Sequence, residues 1–247
     1  MKNSRWALYF SSTLVLCALI FAFTINKVFF KQKEFKNNVY VTGYTSHDFT
    51  SDIIVWEANF SRLNVDIQEA YKLMKEDREM VEYFLLENGI EKNEIVFSSI
   101  NWNEEYYYKY NEEGKLIKKE FKGYNLTQKV RIDSRKVDLV ENVSNEITNL
   151  IENGVLIDSY SPEYYYSKLD ELKIAMLKEA AKNAHLRAKT VVENSTGRLG
   201  DLVYTNVGVF QIIGKNSNES YSWGGSYNTS SKLKTANVTV KQEYQIR

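Results

Sequence analysis

The chain has 247 residues, with 32 Lys and Arg against 32 Asp and Glu, and it is 43% hydrophobic with one Cys, one Pro and two His. A formal charge of zero argues against sequence-independent nucleic-acid binding, which needs a basic surface, so no nucleic-acid partner is expected. One cysteine excludes a disulfide framework or a Cys-rich zinc site. His47 and His185 are too few and too far apart for a histidine metal cluster, and no cofactor is expected.

Trp6 to Ile25 is a run of 20 positions without a charge, with Lys2 and Arg5 before it and Lys27, Lys31 and Lys33 after it. A run of that length at about 1.5 Å per residue matches a bilayer core roughly 30 Å thick. It predicts an N-terminal transmembrane helix within a segment 1–33. The alternative is a signal peptide that is cleaved, although an apolar stretch of that kind is usually about 7–15 residues long. Cys17 reads as a small residue within the run. The lysines on the far side oppose an outward domain by the positive-inside rule. The short basic start instead reads as a secretory leader, which places the body outside the cytoplasm. Residues 1–33 hold five of the 32 basic residues and no acid, leaving 27 bases against 32 acids and a net charge of −5 for the body.

The body, 34–247, reads as strands alternating with three helices. Val39–Thr45 is the first strand. Ile53–Leu63 is the second, with Ile54, Trp56, Ala58 and Phe60 at period two on one face. Asp66 then caps a helix, with Glu69 at the capping-box offset and a stripe of Ile67, Ala70, Met74, Val81, Phe84 and Leu85. Asn88-Gly89 stops it. Ile95–Tyr110 and Leu116–Ile132 are predicted as two long strands joined by a turn at Asn111–Gly114.

A second helix is predicted from Ser134 to Asn153-Gly154, followed by a strand Val155–Tyr160. Pro162 is placed at the opening of the last helix, where its missing N–H costs least. That helix runs to about Ser195, with Ala180, Ala184 and Ala188 among its apolar positions. Leu202–Ile213 and Ala236–Ile246 are the final strands, with a polar loop 214–231 between them, predicted to be mobile. The order strand, helix, Glu-Asn-Gly, apolar strand occurs twice, at Glu87-Asn88-Gly89-Ile90 and at Glu152-Asn153-Gly154-Val155. The expected fold is therefore α+β, with duplicated strand–helix–strand units, a mostly antiparallel or mixed sheet, and three helices packed on it.

Several segments, in order, resemble the SIMPL-domain family. They are Val41-Thr42-Gly43, the helix around Ala70, Asn88-Gly89-Ile90, Tyr106 and Tyr108 with Gly123-Tyr124, and Val130-Arg131-Ile132-Asp133. Gly154-Val155 with Ile157, and the Ala-rich run closing in Gly197-Arg198-Leu199-Gly200, complete the set. The likeness spans roughly Val39 to the C-terminus. It implies an exported α+β domain, assembly into rings in some members, and a link to oxidative stress tolerance. It implies no catalytic residue. Two departures are Asn101-Trp102-Asn103-Glu104, where relatives often carry a proline, and the anchor-like N-terminus.

Tyr is the unusual residue, with 18 copies. Trp102, Tyr106, Tyr107, Tyr108 and Tyr110 crowd one predicted strand, and alternation puts Tyr106, Tyr108 and Tyr110 on one face. Strand propensity alone accounts for such tyrosines. As a surface, Trp102, Tyr106, Tyr108 and Tyr110 can stack on a protein or a sugar at low entropic cost. The adjacent pairs Glu104-Glu105, Glu112-Glu113 and Asp170-Glu171 point to opposite faces or to solvent and do not form an acid–base pair. Ser46-His47-Asp48 names the members of a triad but cannot adopt its geometry from neighbouring positions. No phosphate loop, metalloprotease helix or nucleophile elbow occurs.

The expectation is a single-pass, membrane-anchored extracytoplasmic protein that is not an enzyme. It would act by homo-oligomerisation or by contact with an envelope or cell-wall partner, in envelope or oxidative stress. The alternative is a carbohydrate-binding module that uses the Trp/Tyr strand.

Overall fold

The computed structural model describes residues 18–25 and 37–247. The first stretch is a helix, α1 (residues 18–25). The chain then runs β1 (Asn38–Thr50), β2 (Ile53–Asn64), α2 (Ile67–Glu87), β3 (Ile95–Phe97), β4 (Asn101–Tyr110) and β5 (Leu116–Ser134). It continues through α3 (Val137–Glu146), a 3-10 turn (Ile147–Asn153), β6 (Leu156–Ser159), β7 (Glu163–Tyr165) and α4 (Leu169–Asn194). β8 (Leu199–Val207), β9 (Gln211–Gly214), β10 (Ser226–Tyr227) and β11 (Leu233–Ile246) complete it.

The membrane-spanning helix predicted over Trp6–Ile25 is not found. Among the described residues no helix is long and apolar enough to cross a membrane. Positions 6–17, including Cys17, lie outside the described residues. The single-pass, extracytoplasmic placement rested on that helix and is not retained. The membrane, envelope and homo-oligomer partners go with it.

The described residues form two compact units, 43–183 with 207–240, and 18–25 and 37–42 with 184–206 and 241–247. The larger unit holds a six-stranded sheet in the order β3-β5-β2-β6, with β4 also on β5 and β7 also on β2. Every pairing in it is antiparallel. Two units, β2-α2-β3 and β5-α3-β6, interleave: the strand after each helix pairs with the first strand of the other unit. This is the split β-α-β arrangement. Ile54, Trp56, Ala58 and Phe60 of β2 and Leu126, Val130 and Ile132 of β5 meet Ala70, Met74, Val81 and Leu85 of α2 and Val137, Val140 and Val143 of α3 in one core. The opposite face is polar, with Glu57 bound by Lys129 at 2.8 Å and Arg131 at 3.1 Å.

Both helical segments end alike. Gly89 and Gly154 take φ of +87° and +84°. Their N–H groups donate to Leu86 and Ile151, and the next residues, Ile90 and Val155, donate to Leu85 and Leu150. Each ending is a Schellman motif, which satisfies the last carbonyls and turns an apolar residue back into the core.

A second sheet has the order β1-β11-β9-β10, with β8 on β11. β10 is parallel to β9 and β11 antiparallel to it, so this sheet is mixed. Within the larger unit, Met176 and Ala180 of α4 pack on Ile212, Ala236, Val238 and Val240. Among the described helices α2 and α3 cover the six-stranded sheet, while Met176 and Ala180 of α4 pack against the other. The polar stretch after β9 carries β10 and is tied down by Gln211. Its amide donates to Ser222 O at 2.6 Å and accepts from Ser222 N at 3.1 Å and Ser226 Oγ at 2.9 Å.

In the smaller unit Ala184, Ala188, Val192 and Tyr244 are buried. His185 Nδ1 lies 3.1 Å from the Tyr244 hydroxyl, which donates to Gln242 Oε1.

Four local expectations are corrected. Ile95–Tyr110 is not one strand, because residues 98–100 break it into β3 and β4. Pro162 does not open a helix: β7 follows it, and α4 starts seven residues later, at Leu169. The second helix starts at Val137, since Ser134 is still paired to Ile54 in the sheet. At α2 the capping box is half formed. Asp66 Oδ1 accepts from Gln68 N and Glu69 N, while Asp66 N is taken by Asn64 Oδ1.

Candidate functional site

The aromatic face begins where the core runs out of helix. On β4, Trp102 stands opposite Leu126 of β5. Leu126 is in the core, so Trp102 lies on the helix-bearing face of the sheet. β2 ends at Asn64, which is paired to Tyr124. Beyond that pair only β4 and β5 continue, as a two-stranded ribbon from Glu105–Gly123 to Tyr110–Leu116. The turn at its tip is closed by Asn111 N to Lys115 O at 3.0 Å and by Gly114 at φ +76°.

A bulge sets which rings share the face. Glu105 is opposite Gly123 but Tyr106 is opposite Phe121, so Lys122 is extra on β5. The extra residue reverses the alternation, and Tyr124 and Phe121 fall on the same face despite their odd spacing. Gly123 makes this possible. Its φ is +149°, and a Cβ there would sit 2.7 Å from Asn64 O.

The result is a row of touching rings. Trp102 to Tyr124 is 6.0 Å between centroids, Tyr124 to Phe121 5.1 Å, Phe121 to Tyr106 5.7 Å, and Tyr106 to Tyr108 6.3 Å. Neighbouring rings are tilted by 50–71°, within the edge-to-face range that aromatic pairs favour. Trp102 is 59% exposed, Tyr108 45% and Phe121 44%. Lys119 Nζ lies 3.8 Å over the Tyr106 ring and 5.8 Å from that of Tyr108, a cation–π pairing. Glu104 accepts from the Tyr106 hydroxyl at 2.5 Å, and that bond raises the Tyr106 pKa above the usual phenol value.

Of the four residues singled out from the sequence, Trp102, Tyr106 and Tyr108 join this row. Tyr110 is 58% exposed and lies past a second bulge, beyond the last touching ring. Phe121, Tyr124 and Lys119 were missed. The signal that would have found them is the pair of aromatics three apart around Gly123, a spacing that a strand places on one face only through a bulge.

The other groups weighed from the sequence are dispersed. Glu105 turns to Lys122 at 3.3 Å, away from Glu104. Asp48 accepts from Thr235 Oγ1 at 2.7 Å and pairs with Lys215 at 2.9 Å, not with a serine. Tyr164, two residues after Pro162, is buried in β7, and its hydroxyl donates to Glu141 at 2.7 Å. Burial, then the hydrogen bond to Glu141 and its charge, push this phenol up to about 12.

Around Tyr164 lies a polar knot. Lys232 binds Asp138 and Glu141, and its ammonium is held well above the usual lysine range by those two carboxylates. Lys234 is fully buried. Its Nζ donates to Ser51 Oγ and Tyr164 O at 3.0 Å each and to Ser231 O. Burial brings its pKa down to about 8.

No curated protein matches the chain. A family model does match, over residues 39–246, and its description is SIMPL, protein of unknown function (DUF541). The match takes in both sheets, the three helices that follow α1 and the aromatic ribbon, so the chain belongs to the SIMPL family.

Proposed function

We propose that the protein is a non-catalytic binding module that takes an extended carbohydrate chain along the face of Trp102, Tyr106 and Tyr108. The observation that carries this reading is the unbroken row of rings that starts at Trp102, on the sheet beside α2, and runs out to Tyr108 along a ribbon that no other described strand or helix covers. An apolar, aromatic face left open on a projecting ribbon marks an interaction surface. Rings supply large, rigid contact area at low rotamer cost. Glu104 and Lys119 add an acceptor and a donor on the same face, suited to sugar hydroxyls. The outer edge of β4 pairs with no described strand and leaves backbone N–H and C=O groups open beside the rings.

The test is affinity electrophoresis of the full chain through gels that hold soluble polysaccharides. Retention by at least one glycan is expected. It should vanish in Trp102→Ala/Tyr108→Ala while the circular dichroism spectrum is kept. Retention that survives the double substitution, or no retention by any glycan tried, overturns the proposal.

A further inference from the structure

Beside Trp102 the aromatic row opens into a notch of about 380 Å³, lined by Ile67, Gln68, Tyr71, Ile100, Trp102 and Leu126. That is within the roughly 300–1,000 Å³ of small-molecule sites. Five of the six side chains are apolar or aromatic, none is ionised, and Gln68 brings one amide. We propose that this notch seats the acetamido group of an uncharged, N-acetylated amino-sugar chain whose further units lie along the ring row. The inference rests on the carbohydrate reading above and names the class of sugar.

The chemistry of the lining selects this group. An acetamido group has an apolar methyl, which suits the walls of Ile100 and Leu126. It also has one donor and one acceptor, on opposite sides of a trans amide, and the amide of Gln68 can meet either one. A sugar with a hydroxyl at that position would bury a polar group against apolar walls with one partner at most. Charge points the same way. The row carries one carboxylate, Glu104, and one ammonium, Lys119, and these offset each other. A polyanion would meet Glu104 and a polycation would meet Lys119, whereas an uncharged chain meets neither penalty. Trp102 and Tyr108 are six residues apart on β4, or about 20 Å at ~3.4 Å per residue, so a tetramer can engage the notch and the row at once.

The experiment is isothermal titration calorimetry on the full chain with three tetramers: N-acetylglucosamine, glucose in the same linkage, and the de-N-acetylated amino sugar. The N-acetylated tetramer is expected to bind about tenfold tighter than the glucose tetramer, or about 1.4 kcal/mol. Ile67→Trp, which fills the notch, and Gln68→Leu, which removes its amide, should each erase that difference. Equal binding of the two tetramers, with Trp102→Ala weakening both, overturns the acetamido assignment and leaves the binding-module reading standing. A preference that persists in Ile67→Trp, or tightest binding of the de-N-acetylated tetramer, also overturns it. Binding of none of the three tetramers overturns it as well, and the polysaccharide gels then decide the wider reading separately.

Discussion

The guanidinium of Arg62 closes on the carboxylate of Asp77 with both prongs, Nε to Oδ2 at 2.5 Å and Nη2 to Oδ1 at 2.6 Å. Asp77 is fully buried in the middle of α2, and Arg62 reaches it from β2. A bidentate pair satisfies charge and geometry together. Removing one partner strands a charge in the core. Arg62→Ala, which leaves the fully buried Asp77 without its partner, is expected to cost about 3–5 kcal/mol in urea unfolding, while Arg62→Met/Asp77→Leu should recover most of that loss. A double variant as unstable as the single one would show that the pair is not what holds α2 to β2.

The buried ammonium of Lys234 gives the fold a measurable response to alkali. Its folded pKa of about 8 lies below the unfolded value of roughly 10.4. Between those values the unfolded chain holds a proton that the native state releases, so this group makes stability rise with pH across that window. Against Lys234→Met, the wild type should gain on the order of 2 kcal/mol between pH 7 and pH 10. The check is the difference in urea midpoints at the two pH values. A flat difference would mean that the three acceptors hold the ammonium charged throughout.

Gly123 sets the register of the ribbon. A methyl group there meets Asn64 O at 2.7 Å, on a backbone at φ +149°. Gly123→Ala is expected to cost about 1–3 kcal/mol and to shift the near-UV aromatic signal, because Tyr124 and Phe121 leave their common face. An unchanged near-UV spectrum would argue against the bulge.

The helix endings differ in what surrounds them. At Gly154 a Cβ would meet nothing within 4 Å, so Gly154→Ala tests the left-handed φ alone, at about 1 kcal/mol. At Gly89 the same methyl also meets Leu139 Cδ1 at 3.3 Å. Gly89→Ala should therefore cost more than Gly154→Ala in thermal unfolding, and the reverse order would count against close packing of Leu139 on Gly89.

The aromatic row, by contrast, is expected to matter little for stability. Trp102→Ala or Tyr108→Ala, at positions about half exposed, should shift unfolding by under about 1 kcal/mol each. A larger loss would mark the rings as structural.

Much of the fold is written in local pattern. Ile54, Trp56, Ala58 and Phe60 face the core because a strand alternates, and Ala70, Met74, Val81 and Leu85 do so because a helix repeats every 3.6 residues. The two Asn-Gly stops need a left-handed residue, and Gly89 and Gly154 are that residue. These features depend on near neighbours in the chain, so the amino-acid order alone determines them, as it does the membership of Trp102, Tyr106 and Tyr108 in one strand face. Other features depend on contacts that sequence distance hides. Pro162 leads into a strand because β7 finds β2 as a partner, and Ser134 stays in the sheet because Ile54 is opposite it. The bulge that brings Phe121 to Tyr106 depends on the pairing of β5 with β4. The notch beside Trp102 needs α2 laid over Leu126, and the burial of Lys234 needs Ser51, Tyr164 and Ser231 around it. Only the tertiary structure decides these, because each is a meeting of segments whose closeness no local propensity encodes.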